Sequence, residues 1–139
     1  MIIRRASDDD AEALTALITA AYAPYQHLGL PPVAEGVADD ITRHYVWVAE
    51  VAGVVRGGIV LIMSGDAYIA NLAVHPDAGG QGIGSALISK ACDLARCAGF
   101  EEIGLATHVG MTETQAFYRR LGWIETGHEG LRAYFKKDL

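Results

Sequence analysis

Between a run rich in β-branched residues and a run with helical spacing, the segment HPDAGGQGIGSALI (75–88) places Gly79, Gly80, Gly82 and Gly84 within six positions. Bare backbone at a strand-to-helix turn lets amide N–H groups approach a ligand and point at it, and the helix N-terminus that follows favours an anion. The chemistry implied is a phosphate cradle. A Walker loop would require lysine followed by serine or threonine after its last glycine, whereas Gly84 is followed by Ser85 and Ala86. A dinucleotide fingerprint read as Gly80, Gly82 and Ser85 would fall mid-chain after a meander instead of opening a βαβαβ unit.

The elements around the cradle follow from periodicity. Residues 2–6 read as a strand, and Ser7 caps a helix whose first turn holds Asp8, Asp9 and Asp10 and whose apolar face carries Leu14, Leu17, Ile18 and Ala21. Pro24 should end it, leaving a Pro- and Gly-rich loop over 25–36 and a short helix to about Arg43. Residues 46–51, 54–63 and 67–74 read as an antiparallel meander broken at Ala52-Gly53 and Ser64-Gly65-Asp66. From Gly82 the period becomes helical through Ile83, Leu87, Ala91, Leu94 and Ala98 until Gly99, and 101–108 follows as a strand. Strand, helix and strand make a βαβ unit with a right-handed crossover and a parallel pair. Thr112 with Gln115 resembles a capping box for a helix over Phe117 and Leu121, and two more strands follow Gly122. The expected fold is α/β: a largely antiparallel mixed sheet with one parallel pair in its middle, flanked by helices, in one domain over residues 1–139.

Composition narrows the partners. A 51% hydrophobic content argues against disorder, and a net charge of −6 from 17 acidic and 11 basic residues argues against nucleic acid. No apolar run reaches the roughly eighteen residues of a membrane span, and MIIRRASDDD has neither the apolar core nor the cleavage site of a signal peptide, so the cytoplasm is the expected compartment. Cys92 and Cys97, turned roughly 140° apart on one helix, read as reduced thiols.

Two segments carry a resemblance. LAVHPDAGGQGIGSALI (72–88) resembles the acyl-CoA-binding motif of the GNAT N-acetyltransferases, and MTETQAFYRRLGWIETG (111–127) resembles that family's helix around F-Y-x-x-x-G-F. The order of elements across nearly the whole chain is similar too, and AAYAPY (20–25) echoes a subset of small members. The resemblance implies the GNAT fold and acetyl-CoA-dependent transfer of an acetyl group directly to an amine, with no metal. It implies that the strand of Leu72 and Val74 diverges from its parallel partner to admit the pantetheine arm. Gly80, Gln81, Gly82, Ile83, Gly84 and Ser85 would then surround the pyrophosphate, and a backbone amide near Leu72 would polarise the thioester carbonyl. Tyr118 matches the family's tyrosine that protonates the departing thiolate. Acceptor specificity is implied for the segment 22–37, with Tyr22, Tyr25, His27 and Glu35 its polar candidates.

The chain departs from the pattern twice. Gly79 stands where a long polar side chain usually opens the phosphate motif, with Gln81, Arg119 and Arg120 as candidates to compensate. Ala70 stands where members with a carboxylate base place glutamate, and Ala106 offers no acid on the next parallel strand. His108, at that strand's carboxyl end, is the nearest candidate base, with a water chain as the alternative. The acceptor, a small molecule or a peptide amine, is not specified by these residues. An inactive acyl-CoA-binding or regulatory module is the competing reading, favoured by Gly79 and Ala70. A C-terminal strand could pair across a homodimer.

Overall fold

A computed structural model describes residues 1–30, 32 and 34–139. The elements are β1 (Ile2–Arg5), α1 (Ala11–Tyr22), α2 (Val37–Arg43), β2 (Tyr45–Val51), β3 (Val54–Ile62), β4 (Tyr68–Val74), α3 (Ile83–Cys97), β5 (Glu102–His108), α4 (Thr112–Arg120), β6 (Ile124–Glu129) and β7 (Arg132–Asp138). Short 3-10 turns precede α1, follow it over Ala23–Leu28, and precede α3 over Pro76–Ala78. The seven strands form one sheet in the order β1-β2-β3-β4-β5-β7-β6, in which β4 and β5 alone run parallel. The expected mixed sheet is therefore observed.

The two faces of the sheet each bury a helical layer. Leu14, Leu17 and Ile18 of α1 join Val37 and Ile41 of α2 against Val46, Val48 and Val60. On the other face Ile83, Leu87 and Ala91 of α3 pack on Ile59, Leu61, Ile69 and Leu105. Leu14 and Leu87 are 1% and 0% exposed, so truncating either to alanine would cost about 2–5 kcal/mol. Two adjacent glycines of β3 seat these layers closely: Gly58 lies under Leu14 on one face and Gly57 under Ile83 on the other, at separations that leave no room for a methyl group.

The entry to α1 is fastened by charge. Asp10 accepts from the Ser7 amide at 2.8 Å and takes both terminal nitrogens of Arg4 at 2.8 Å, while Arg4 also pairs with Glu50 of β2 at 2.7 Å. The α-helix ends at Tyr22, as expected, but the chain does not leave the helical path there. Pro24 sits at the start of the 3-10 turn, where a missing N–H costs no hydrogen bond, and the turn runs on to Leu28 before Gly29 reverses it with φ 64°. No capping box forms at Thr112 either. Met111 is the N-cap, and the Gln115 amide instead donates to the carbonyls of His108 and Val109 at 3.2 and 2.9 Å. Cys92 is buried, Cys97 exposed, and both are free thiols.

Candidate active site

The parallel pair is short. Only Tyr68 with Gly104 and Ile69 with Leu105 are paired, after which β4 and β5 separate. A register shift between Val60 and Leu61 leaves Ala70 as an extra residue in β4, and a bulge of this kind bends a strand away from its neighbour. The Leu72 backbone turns toward the gap for a reason that can be followed along the ladder. His75 donates to the Arg56 carbonyl at 2.8 Å, so by antiparallel alternation Ala73 also bonds to β3, whereas Leu72 and Val74 direct their N–H and C=O groups to the other side.

The gap opens into a cleft of ≈ 670 Å³ that reaches both faces of the sheet. Tyr22 and Tyr25 line it from one side, and α3 and α4 line it from the other. This is the size of a small-molecule site, with two backbone edges at its floor. The glycine turn forms one end. Gly80 and Gly82 take φ 76° and 77°, a region that L side chains rarely adopt, and Gly82 is the N-cap of α3 with no side chain capping it. The first N–H groups of a fifteen-residue helix are thus offered to the cleft, where they carry the partial positive charge of the helix end. Gly84 permits a different contact: a Cβ there would stand 3.2 Å from Phe117 Cζ, so its lack of a side chain lets α3 meet α4. Gly79 needs no special geometry. Its φ of −64° and ψ of 150° are extended backbone, and a Cβ would meet only the Pro76 carbonyl at 3.7 Å. These donors fit a polyphosphate through main-chain N–H groups.

Of the residues expected at the cradle, Leu72, Val74, Gly80, Gly82, Ile83, Gly84 and Ser85 line the cleft, and the exposed Gln81 does not. Among the arginines named to compensate for Gly79, Arg120 reaches the rim and is without an ion pair among the described residues. Arg119 turns away, 3.7 Å from Glu125 and stacked 5.3 Å from the Phe135 ring.

Tyr118 lines the cleft from α4 and is 5% exposed, set between Phe117 and Trp123 with ring centroids 5.3 and 5.6 Å away. Burial, reinforced by the neighbouring Tyr22, pushes its hydroxyl well above the usual phenol range. It is held protonated. Burial also raises Tyr22 to about 12, with Tyr25 adding to the effect. The Tyr22 hydroxyl donates to Asn71 Oδ1 at 3.1 Å and lies 3.5 Å from the Leu72 carbonyl oxygen.

His108 is not brought to the cleft. Its Nδ1 accepts the Gly110 amide at 2.9 Å, which assigns the ring proton to Nε2, and Nε2 is buried without a hydrogen-bond partner among the described residues. The sharp turn after β5 recruits this imidazole to hold itself, and Leu28 packs over the same turn at Gly110. Of the other acceptor-side candidates, Tyr25 lines the cleft and His27 is exposed outside it. Glu35 borders a separate, smaller pocket, and Pro31 and Val33 of the 22–37 segment lie outside the described residues. Asn71, Glu113 and Thr114 line the cleft without having been expected there. Glu113 was readable in principle, because it precedes Phe117 by four residues and so shares its helix face.

Comparison with known proteins agrees with this geometry. The model of the acetyltransferase (GNAT) family matches residues 11–123. Among solved structures, the chain is similar to the PaiA N-acetyltransferase of Thermoplasma acidophilum in complex with coenzyme A, at 20% identity over 99% of this chain and 98% of that one, with a TM-score of 0.88. It is similar to the ribosomal-protein-S18-alanine N-acetyltransferase of Escherichia coli at 19% identity over 99% and 92% of the two chains, with a TM-score of 0.81. A GNAT acetyltransferase of Staphylococcus aureus gives 16% identity over 99% and 98%, with a TM-score of 0.84. At such identities the likeness is one of fold. No curated protein matches the chain significantly.

Proposed function

The chain belongs to the GNAT acetyltransferase family, and from that premise we propose that it is an acetyl-CoA-dependent N-acetyltransferase that passes the acetyl group directly to an amine, residues 1–139 acting as one domain. The observation that carries the reading is the separation of β4 from β5 into a cleft that Tyr118 also lines, with the start of α3, which no side chain caps, lining it too. Acetyl-CoA, as cosubstrate, supplies the acetyl group as a thioester.

Each part of the cleft has a task in this reaction. The main-chain N–H groups from Gly80 to Ser85 hold the pyrophosphate, and Arg120 adds its charge at the rim. The outward Leu72 and Val74 backbone pairs with the pantetheine arm, and the Leu72 N–H polarises the thioester carbonyl. Tyr118, kept protonated by burial, donates to the sulfur as it leaves. The amine arrives from the side of Tyr22 and Tyr25 and releases its proton to water, with Glu113 the one carboxylate lining the cleft among the described residues to receive it in turn. The two free thiols suit a reducing, cytoplasmic compartment.

The test is release of free thiol from acetyl-CoA across a panel of amines, run beside thermal shifts with CoA alone. Thiol release with at least one amine supports the enzyme. Stabilisation by CoA without turnover on any amine would support the binding module instead, and an unmoved melting temperature would overturn both.

A further inference from the structure

Three elements that line the cleft meet at the turn between β5 and α4. β5 arrives with Thr107 on the cleft, the 3-10 turn Ala23–Leu28 contributes Tyr25, and α4 leaves with Glu113 and Thr114. Leu28 comes so near that a Cβ on Gly110 would stand 2.9 Å from its Cδ2 and 3.1 Å from His108 Nδ1. No side chain caps the start of α4. The bonds of the turn itself therefore set where the helix begins: His108 Nδ1 accepts the Gly110 amide at 2.9 Å, the Met111 amide donates to the His108 carbonyl at 3.0 Å, and Gln115 closes over the carbonyls of His108 and Val109. The far end of α4 is held separately, by Lys137 Nζ on the Leu121 carbonyl at 2.6 Å and by the Trp123 amide on the Tyr118 carbonyl at 3.0 Å.

We infer that His108 is a positioning residue for the reaction: by holding the Gly110 amide, its Nδ1 sets the rotation of the first turn of α4 and with it the place of Glu113 beside the arriving amine. The inference rests on the proposed function, in which Glu113 receives the amine's proton through water. Side-chain ends stand roughly 6 Å from a helix axis, so a rotation of about 10° carries them about 1 Å. A misplacement of that size costs up to about a hundredfold in rate, and the relay through water reduces the expected loss to about tenfold. Only one atom of the ring serves this purpose. Nε2 is buried without a hydrogen-bond partner among the described residues, so the bond at Nδ1 is the imidazole's whole polar contribution.

The test uses the difference between two amide side chains. Histidine Nδ1 and asparagine Oδ1 are both bonded to Cγ, and an asparagine oxygen accepts the amide two residues on in an Asx turn, whereas glutamine sets its polar atoms where Nε2 lies. With any amine that wild type turns over, His108→Asn should keep kcat/KM within about threefold, while His108→Gln and His108→Leu lose about tenfold. Calorimetric CoA affinity should stay within about twofold in all three, because the pyrophosphate end of the cleft is untouched. Equal losses in the asparagine and leucine variants, or a loss of CoA affinity in step with activity, would overturn the assignment and leave the acetyltransferase standing. Imidazole 15N spectroscopy on wild type needs no variant to fold: a ring protonated at Nε2 and accepting at Nδ1 supports the assignment, and a proton on Nδ1 overturns it. Absence of turnover on every amine, with CoA still stabilising the protein, would overturn the proposed function and the role of His108 with it.

Discussion

The Tyr22 hydroxyl donates to Asn71 Oδ1 at 3.1 Å, which ties the last turn of α1 to β4 one residue before Leu72. The same oxygen lies 3.5 Å from the Leu72 carbonyl. A residue of the acceptor side thus holds the strand whose backbone faces the thioester in the proposed reaction. Tyr22→Phe keeps the ring and removes the fastening. Loss of one buried hydrogen bond is worth about 1 kcal/mol, so kcat/KM should fall about fivefold. Calorimetric CoA affinity should stay within about twofold, because the pyrophosphate end of the cleft is untouched. A variant that lost CoA affinity and activity in equal measure would show Tyr22 to be a support for the whole cleft.

Tyr118 calls for a different signature. Its hydroxyl is held above the ordinary phenol range by burial, so it stays protonated throughout a practical assay window. Tyr118→Phe should therefore lower kcat by about a hundredfold or more, and by the same factor at every pH between about 6 and 9. The aromatic packing on Trp123 and Phe135 remains in the variant, which should melt within a few degrees of wild type. Unchanged kcat would remove Tyr118 from the reaction. The same burial has a consequence at high pH: Tyr22 and Tyr118 bind their protons more tightly folded than unfolded, so stability should begin to fall as pH rises past about 10.

The Arg4 and Asp10 pair sets a limit at the acid end. Arg4 holds the Asp10 carboxyl at about 2, below its usual value of 3.8, with the Ser7 amide assisting. A depressed carboxylate stabilises the fold above its unfolded pKa and loses that contribution as pH falls through the folded one. After allowance for solvent screening the contribution is on the order of 1 kcal/mol. Asp10→Asn should accordingly lower the urea midpoint at pH 7. The gap to wild type should close as the pH approaches about 2, and a gap constant with pH would mean that the carboxylate's charge is irrelevant.

What the sequence discloses follows the range of the interactions involved. Strands and helices were legible because their periodicities are local, and the glycine turn was legible because positive φ and close approach have a residue type of their own. Failures came where one side chain had two possible partners. Gln115 could have closed a capping box at Thr112 but spans the turn after β5, and His108 could have faced the cleft but accepts the Gly110 amide. Pro24 was expected to stop a helix, and α1 does end at Tyr22, but the 3-10 turn that follows, which its ring tolerates, was not foreseen. The bond between Tyr22 and Asn71 joins residues 49 apart, and no local pattern announces it. Nor does any local pattern announce the cavity beside Glu35, which Thr19 and Tyr22 of α1 also line.

Gly79 gives the sharpest test of the cradle, because its backbone makes no demand for glycine. With φ −64° and ψ 150°, and only the Pro76 carbonyl at 3.7 Å from a would-be Cβ, the position accepts any side chain without strain. The neighbouring Gly82, at φ 77°, does not. Gly79→Arg places a guanidinium at the mouth of the cleft where a phosphate is proposed to lie, and CoA should bind about threefold to tenfold more tightly in calorimetry, with the gain shrinking in high salt. Gly82→Ala, which strains the turn and costs about 1 kcal/mol, should weaken CoA binding. The two variants together separate charge from backbone. If Gly79→Arg tightened nothing while Gly82→Ala still weakened binding, the main-chain N–H groups would be the whole of the phosphate site. If Gly82→Ala had no effect, the glycine turn would not be where the phosphates lie.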